Sequence, residues 1–270
     1  MSFSIAGKTA IVTGAANGVG LAIARHFEAQ GANVMFADMD ESGLIAEVGE
    51  ASELEDARVA YFAGDLREKL TIANLLSATV DAFDGVDILV NASRQVAQSD
   101  PLCAEDDNVE ALLEQNLLTA LRLSQQVSKW MIKRAEKDER TEGMLGSIVN
   151  LSSVAARRTQ PEMLAFSISG AAVEQMTRSM AVALAPHRIR VNAVAFGSVL
   201  SASLSDVLSE HPDYRDEILR GTPLARVAPA SDVAETVQYL ASDGSGFVTG
   251  QVLDVDGGRT LLDVVQAPTH

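Results

Sequence analysis

The sequence predicts an α/β fold: one doubly wound parallel sheet of about seven strands, with helices on both faces in three layers. Three observations point there. Short β-rich runs alternate with longer amphipathic segments along the chain. Several of the short runs are apolar at consecutive positions, as strands are when helices cover both faces. No Gly/Ser-rich or Pro-rich linker divides the 270 residues, so 1–270 reads as a single domain.

The strands are expected at "TAIVTG" (9–14), "NVMFAD" (33–38), "RVAYFAGD" (58–65), "VDILVNA" (86–92), "GSIVNLSS" (146–153), "RIRVNAVAFG" (188–197) and "QVLDVDGG" (251–258). Helical patterns fill the gaps at about 18–30, 41–50, 67–83, 105–137, 164–185 and 231–242. The segment 105–137 starts with Glu105, Asp106 and Asp107 and carries Lys129, Lys133 and Arg134 near its end, matching a helix dipole. The stretch 198–228 interrupts the alternation after the sixth strand. Ligands bind outside the carboxyl ends of such strands, so this stretch is a candidate substrate lid.

A net charge of −16 and a pI near 4.6 argue against nucleic acid and against an anionic membrane surface as partners. Cys103 is the single cysteine, so no intramolecular disulfide is possible. His26, His187, His211 and His270 lack ligand spacing, and no metal site is expected. "MSFSIAGKTA" has no secretory pattern, and the longest uncharged run is too short to span a bilayer. A cytoplasmic protein is expected.

"TGAANGVG" (13–20) follows the first strand and opens a helix, with glycines at 14, 18 and 20. This is not the G-x-G-x-x-G spacing, but the physics is shared. Glycines let the chain turn sharply against a pyrophosphate, and the helix N-terminus offers it free N–H groups. Asp38 closes the second strand, where a carboxylate suits the ribose 2′-hydroxyl of NAD and repels a 2′-phosphate; it also suits a cap for the next turn. Asp65 closes the third strand, positioned either for adenine or to cap the helix beginning near Arg67.

These segments, in this order, resemble the short-chain dehydrogenase/reductase family from Lys8 to about Gly258. "TGAANGVG" is similar to its glycine motif and "GDLRE" to its adenine segment. "DGVDILVNAS", "LLEQNLLTAL", "GSIVNLSSVAA" and "FVTGQVLDVDGG" also fall in register. The resemblance implies a Rossmann-type fold, hydride transfer between NAD(P) and an alcohol/carbonyl pair, and a dimer or tetramer. It places the cofactor on Gly14, Asn17, Gly18, Val19, Gly20, Asp38, Asp65, Leu66, Asn91, Val199 and Ser201. It gives Ser153 the role of orienting the substrate oxygen, and Asn116 that of holding a relay water.

The family's acid/base tyrosine should fall at 166 and its lysine at 170, one helical turn apart on the same face. The chain has Phe166 and Gly170. Phenylalanine has no proton to exchange, and glycine carries no ammonium. Two further departures flank the nicotinamide half. The family's Asn-Asn-Ala-Gly reads Asn91-Ala92-Ser93-Arg94, and its Pro-Gly reads Phe196-Gly197. Arg94 either intrudes on the ligand or is a surface or salt-bridging arginine. General acid–base catalysis supplies about 10²–10⁴-fold in rate, so its loss removes ordinary turnover.

Three readings of function stand. The chain is a non-catalytic or very weakly active subunit (a pseudoenzyme), in a homo- or hetero-oligomer with an active homologue. Alternatively it is an atypical NAD-dependent oxidoreductase, with Tyr214 the first candidate proton donor. The third reading is an NAD-sensing module.

Overall fold

In the computed structural model, residues 2–263 are described, apart from 55, 104, 201–203 and 205–207 and the side chain of Pro212. The strands are β1 Thr9–Thr13, β2 Asn33–Asp38, β3 Val59–Ala63, β4 Ile88–Asn91, β5 Gly146–Ser153, β6 Ile189–Phe196, β7 Val199–Leu200, β8 Ala228–Pro229 and β9 Val252–Val255. Seven of them form one sheet in the order β3-β2-β1-β4-β5-β6-β9, parallel throughout. The chain winds outward from β1 to β3 and then restarts at β4 beside β1. That reversal opens a crevice at the carboxyl ends of β1 and β4, the usual ligand position of such sheets.

The helices are α1 Gly18–Ala29, α2 Glu41–Ser52, α3 Lys69–Phe83, α4 Val109–Leu112, α5 Thr119–Lys137, α6 Leu164–Leu184, α7 Pro212–Arg220 and α8 Ala230–Ala241. Alternate strand residues feed two cores, one on each face of the sheet. Ala10, Val12, Val34, Phe36 and Val90 pack with Ile23 and Phe27 of α1 and Val237 and Leu240 of α8. Ile11, Met35, Leu89 and Ile148 pack with Ile72 and Leu75 of α3, Leu123 and Val127 of α5, and Leu184 of α6. This two-sided burial is what the consecutive apolar runs require.

The single helix expected at 105–137 is a composite. Residues 105–108 precede it, and Asn108 takes a left-handed φ of 56°. Of the three acids, Asp107 alone is tied to the helix start, its carboxylate accepting the Val109 N–H at 2.9 Å. α4 then runs into a π-helical turn, Leu113–Leu118, before α5 begins. That wider turn carries Asn116; π-turns inside helices frequently mark functional sites. Arg134 and Lys137 occupy the last turn of α5, where they suit its dipole.

The two ends of the stretch 198–228 are tied together. β7 pairs with β8, Val199 opposite Ala228 and Leu200 opposite Pro229, and α7 lies between them. Among the described residues, no helix is long and apolar enough to cross a membrane. No group of three His, Cys, Asp or Glu side chains is placed to hold a metal ion, again among the described residues.

Candidate functional site

The turn between β1 and α1 is shaped by packing as well as by any ligand. Gly14 has φ +67°, and a Cβ there would lie 2.9 Å from the Ala92 carbonyl oxygen and from Ser93 backbone atoms. A Cβ on Gly20 would lie 2.1 Å from the Gly14 carbonyl oxygen. Gly18 differs: its missing Cβ would point into open space. Asn17 makes no side-chain cap bond, and no acid stands in the first turn of α1. The first N–H groups of α1 therefore meet no capping side chain, which is the arrangement that receives a phosphate. Val19 packs on the first core.

Asp38 binds this turn to the end of β2. Its carboxylate accepts the Ala16 N–H and the Asp40 N–H, each at 3.1 Å. Capping of α2 falls to Asp40, which accepts the Gly43 N–H at 3.0 Å. Asp65 accepts the Arg67 N–H at 3.0 Å and pairs with the Arg67 guanidinium at 2.5 Å. That guanidinium hydrogen bond, followed by the backbone one, holds the Asp65 carboxyl below the usual carboxylate range. Leu66 is buried in the second core. Val199 is buried at the foot of the 198–228 stretch, whereas Ser201 lies outside the described residues.

A chain of buried polar groups crosses the middle of the sheet. The Asn91 amide donates to Asn150 Oδ1 at 2.8 Å and to Ser124 Oγ at 3.0 Å, and Asn150 donates to Thr177 Oγ1 at 2.8 Å. The Thr13 hydroxyl accepts the N–H groups of Ala92 and Ser93, both at 3.0 Å, and so sets the path of the loop after β4. Sequence reasoning missed Thr13, Asn150 and Thr177. Their signal was present as polar residues inside otherwise apolar strand and helix patterns.

Arg94, Phe166 and Phe196, three of the departures that the resemblance implies, meet in one place. The Arg94 guanidinium lies 4.0 Å from the Phe196 ring centroid and 5.5 Å from that of Phe166. Its Nη1 donates to the Ser152 carbonyl at 3.1 Å. Phe166 and Phe196 are both buried. Arg94 is half-buried and turned toward these rings, and among the described residues no carboxylate lies within 4.0 Å of it. Burial pushes its guanidinium down to about 10.

Gly170 is buried against the end of β5. A Cβ there would meet Ala156 Cβ at 3.4 Å and Ser152 Oγ at 3.6 Å, both ordinary contacts. One turn on, the buried Glu174 accepts from Ser152 Oγ at 3.4 Å and pairs with Arg157 and Arg178, each at 3.3 Å. Ser153 Oγ accepts the Ala155 N–H at 3.2 Å, capping a short 3₁₀ turn. Asn116 clamps the loop bearing Arg94. Its Oδ1 accepts the Gln95 N–H at 2.8 Å, and its Nδ2 donates to the Gln95 carbonyl at 3.0 Å and to Ser169 Oγ at 3.1 Å. Ser169 donates onward to the Phe166 carbonyl at 2.9 Å.

Ser153, Asn116, Phe166, Gly170, Arg94 and Phe196 therefore gather around the carboxyl ends of β4, β5 and β6. The glycine turn, Asp38 and Asp65 form a second group beyond β1. Tyr214 lies on α7, half exposed, its ring stacked on His211 at 4.8 Å. Tyr61 packs on the first core, and Tyr239 packs on Phe3 at 6.0 Å. Beside Phe196, a cavity of about 510 Å³ opens between the ends of β6 and β9 and the segment 222–228. Gly197, Thr222, Leu224, Arg226 and Asp256 are among the residues lining it.

A doubly wound parallel sheet with a glycine turn after β1 and an acidic residue closing β2 is the arrangement of dinucleotide-binding α/β folds. The chain belongs to the short-chain dehydrogenase/reductase family: a family model described as enoyl-(acyl carrier protein) reductase matches residues 14–260. It is 32% identical to a 3-oxoacyl-acyl-carrier-protein reductase FabG of Thermotoga maritima over 255 residues, covering 94% of this chain and 98% of that protein. Its fold is similar to a 7α-hydroxysteroid dehydrogenase complexed with NADH and 7-oxo glycochenodeoxycholic acid (TM-score 0.84, 29% identity, 95% and 96% of the two chains). It is also similar to a gluconate 5-dehydrogenase of Burkholderia cenocepacia in complex with NADP and tartrate (TM-score 0.85, 26% identity, 97% and 98%). Nicotinamide cofactors are thus a property of its relatives, in both the NAD and the NADP forms.

Proposed function

We propose that this protein is an NAD-binding member of the family that is non-catalytic, or only very weakly active, and works as a subunit beside an active homologue. The observation that carries this reading is the seating of Arg94 against Phe166 and Phe196, at 5.5 Å and 4.0 Å, around the position of the family's proton-exchanging tyrosine. A nicotinamide ring, when bound, supplies the hydride donor or acceptor. The proton must come from the protein, and Phe166 has none to give. Arg94 adds positive charge but stays protonated at working pH, so it cannot act as the base. Ser153 and Asn116 can orient an oxygen and a water, and neither takes up the proton.

The residues present fit the adenosine and pyrophosphate half of the cofactor. The open space at Gly18 and the α1 N-terminus, which no side chain caps, suit a pyrophosphate. Asp38, pinned at the edge of that turn with Asp40 and Glu41 close behind it in sequence, suits a ribose hydroxyl and disfavours a 2′-phosphate. Ala120 on α5 packs internally with Val173 and Met176 on α6, and partnership is supported by the partly exposed Leu117, Leu121 and Met180 at the edge of that packing. Ile168 and Val182 of α6 are exposed on the same helix.

Calorimetry with NAD, NADP and ADP-ribose tests the reading. NAD should bind more tightly than NADP, ADP-ribose should retain most of the NAD affinity, and Asp38→Asn should narrow the NAD preference by roughly tenfold, the scale of one charged hydrogen bond. Tighter binding of NADP overturns the cofactor assignment. Turnover of a hydroxy or keto substrate at several per second, unaided by a partner, overturns the non-catalytic one.

A further inference from the structure

Arg94 differs from the other arginines in having two aromatic rings around its guanidinium and, among the described residues, no carboxylate partner. Arg157 pairs with Glu174 and Asp254, Arg67 with Asp65, Arg25 with Glu47 and Arg226 with Asp232. Arg190, deeply buried and also without a carboxylate, uses its two terminal nitrogens on the carbonyls of Leu240 and Ser242 and on Ser245 Oγ. Arg94 makes a single hydrogen bond, from Nη1 to Ser152. Its Nε and Nη2 meet no acceptor among the described residues, yet they are not among the side-chain atoms sealed from solvent. Although the chain has 37 acidic and 21 basic side chains, none of the acids among the described residues pairs with this one. Rings on Phe196 and Phe166 shield the guanidinium, and the Asn116 clamp on Gln95 holds its loop in place.

A half-buried cation with an unfilled donor edge that solvent can reach is an anion receptor. Guanidinium donors form a planar fork that matches a carboxylate with two parallel N–H···O bonds. Aromatic walls favour a flat organic body over a strongly hydrated inorganic anion.

We propose that the Arg94–Phe166–Phe196 cluster is a binding site for a small, planar organic carboxylate, gripped by the free edge of the Arg94 guanidinium. This goes beyond dinucleotide binding and does not depend on it. The substitutions that removed the family's proton-transfer pair then also built a receptor for a charge of opposite sign.

Titration calorimetry on the full chain tests this with benzoate, with benzamide as its neutral isostere, and with inorganic phosphate, at fixed chloride. Benzoate should bind saturably. Benzamide and phosphate should bind about tenfold more weakly or worse, the loss expected of a charged hydrogen bond. Arg94→Gln should weaken benzoate by about the same factor, and Arg94→Lys, which keeps the charge without the fork, should recover only part. No saturable benzoate heat, or benzamide or phosphate binding as tightly as benzoate, overturns the proposal. So does benzoate binding that persists unchanged in folded Arg94→Gln. If that variant does not fold, the benzoate and benzamide comparison on the unmodified protein decides alone. Loss of NAD binding with benzoate binding intact would count against the dinucleotide reading and leave this one standing.

Discussion

At the carboxyl ends of β1 and β2, the chain carries the glycines and aspartate that the resemblance leads one to expect; at the ends of β4, β5 and β6, Arg94, Phe166, Gly170 and Phe196 stand where it leads one to expect other residues. The first region is built by backbone. Gly14 and Gly20 have no room for a Cβ, so the turn would demand them with or without a ligand. In the second region the chemistry belongs to side chains, and the fold tolerates their exchange. Phe166 keeps a buried ring where a tyrosine is expected, and Gly170 sits in ordinary contact distances. Persistence of a glycine motif is therefore partly a statement about packing. Gly18, whose missing side chain faces open space, and Asp38 speak more directly for a cofactor.

The largest effect should come from converting the second region back. Phe166→Tyr with Gly170→Lys restores a phenol and the cation that lowers its pKa, on one helical face. A gain of about 10²-fold or more in alcohol dehydrogenase turnover is expected, within the range for general acid–base catalysis. Adding Arg94→Gly and Phe196→Pro should raise it further. A steady-state assay in which the double variant stays silent would show that the two regions differ by more than these groups.

Next in size, the same small residue should behave in opposite ways in the two regions. Gly20→Ala drives a Cβ into the Gly14 carbonyl and should lower the melting temperature by on the order of 10 °C, from about 3 kcal/mol of overpacking. Gly170→Ala relieves a helix-interior glycine without a clash and should raise it by about 2 °C. Calorimetric melts that move the two variants in the same direction would remove the contrast.

The smallest effect is acid dependence, and it belongs to the first region. Arg25 on α1 hydrogen-bonds Glu47 on α2 and holds its carboxyl below the ordinary 4.5. A depressed carboxyl stabilises the fold above its unfolded pKa, and that contribution fades as pH falls through the lower folded value. Melting temperature should therefore decline below about pH 4.5, and slightly less steeply in Glu47→Gln. An unchanged slope in the variant would show that the pair does not contribute.

All seven sheet strands were legible because two-sided burial writes itself as runs of apolar residues, as in Ile88–Asn91. The helix at 105–137 was less so: periodicity cannot show that Leu113–Leu118 widens to a π-turn, and the acids at 105–107 mimic a first helical turn. The β7–β8 pair is two residues long on each side, too short for any pattern. At the site, register alone located Phe166, Gly170, Arg94 and Phe196 as departures. It could not show that three of them touch, because Arg94 and Phe196 lie on loop and strand a hundred residues apart. Nor could it show Asn116 fastening the loop at Gln95, a contact made through backbone atoms.

The shared seat of Arg94 also bears on how these residues can be exchanged. One guanidinium touches side chains from α6 and β6 and a carbonyl from β5, so no member of the cluster can change without altering what the others experience. Energies of residues in such contact do not add. Restoring Phe196 alone to a proline strips the cation of its nearer ring; restoring Arg94 alone to a glycine leaves two phenyl faces bare. The effects of exchanging these residues one at a time are therefore not expected to sum to the effect of exchanging them together.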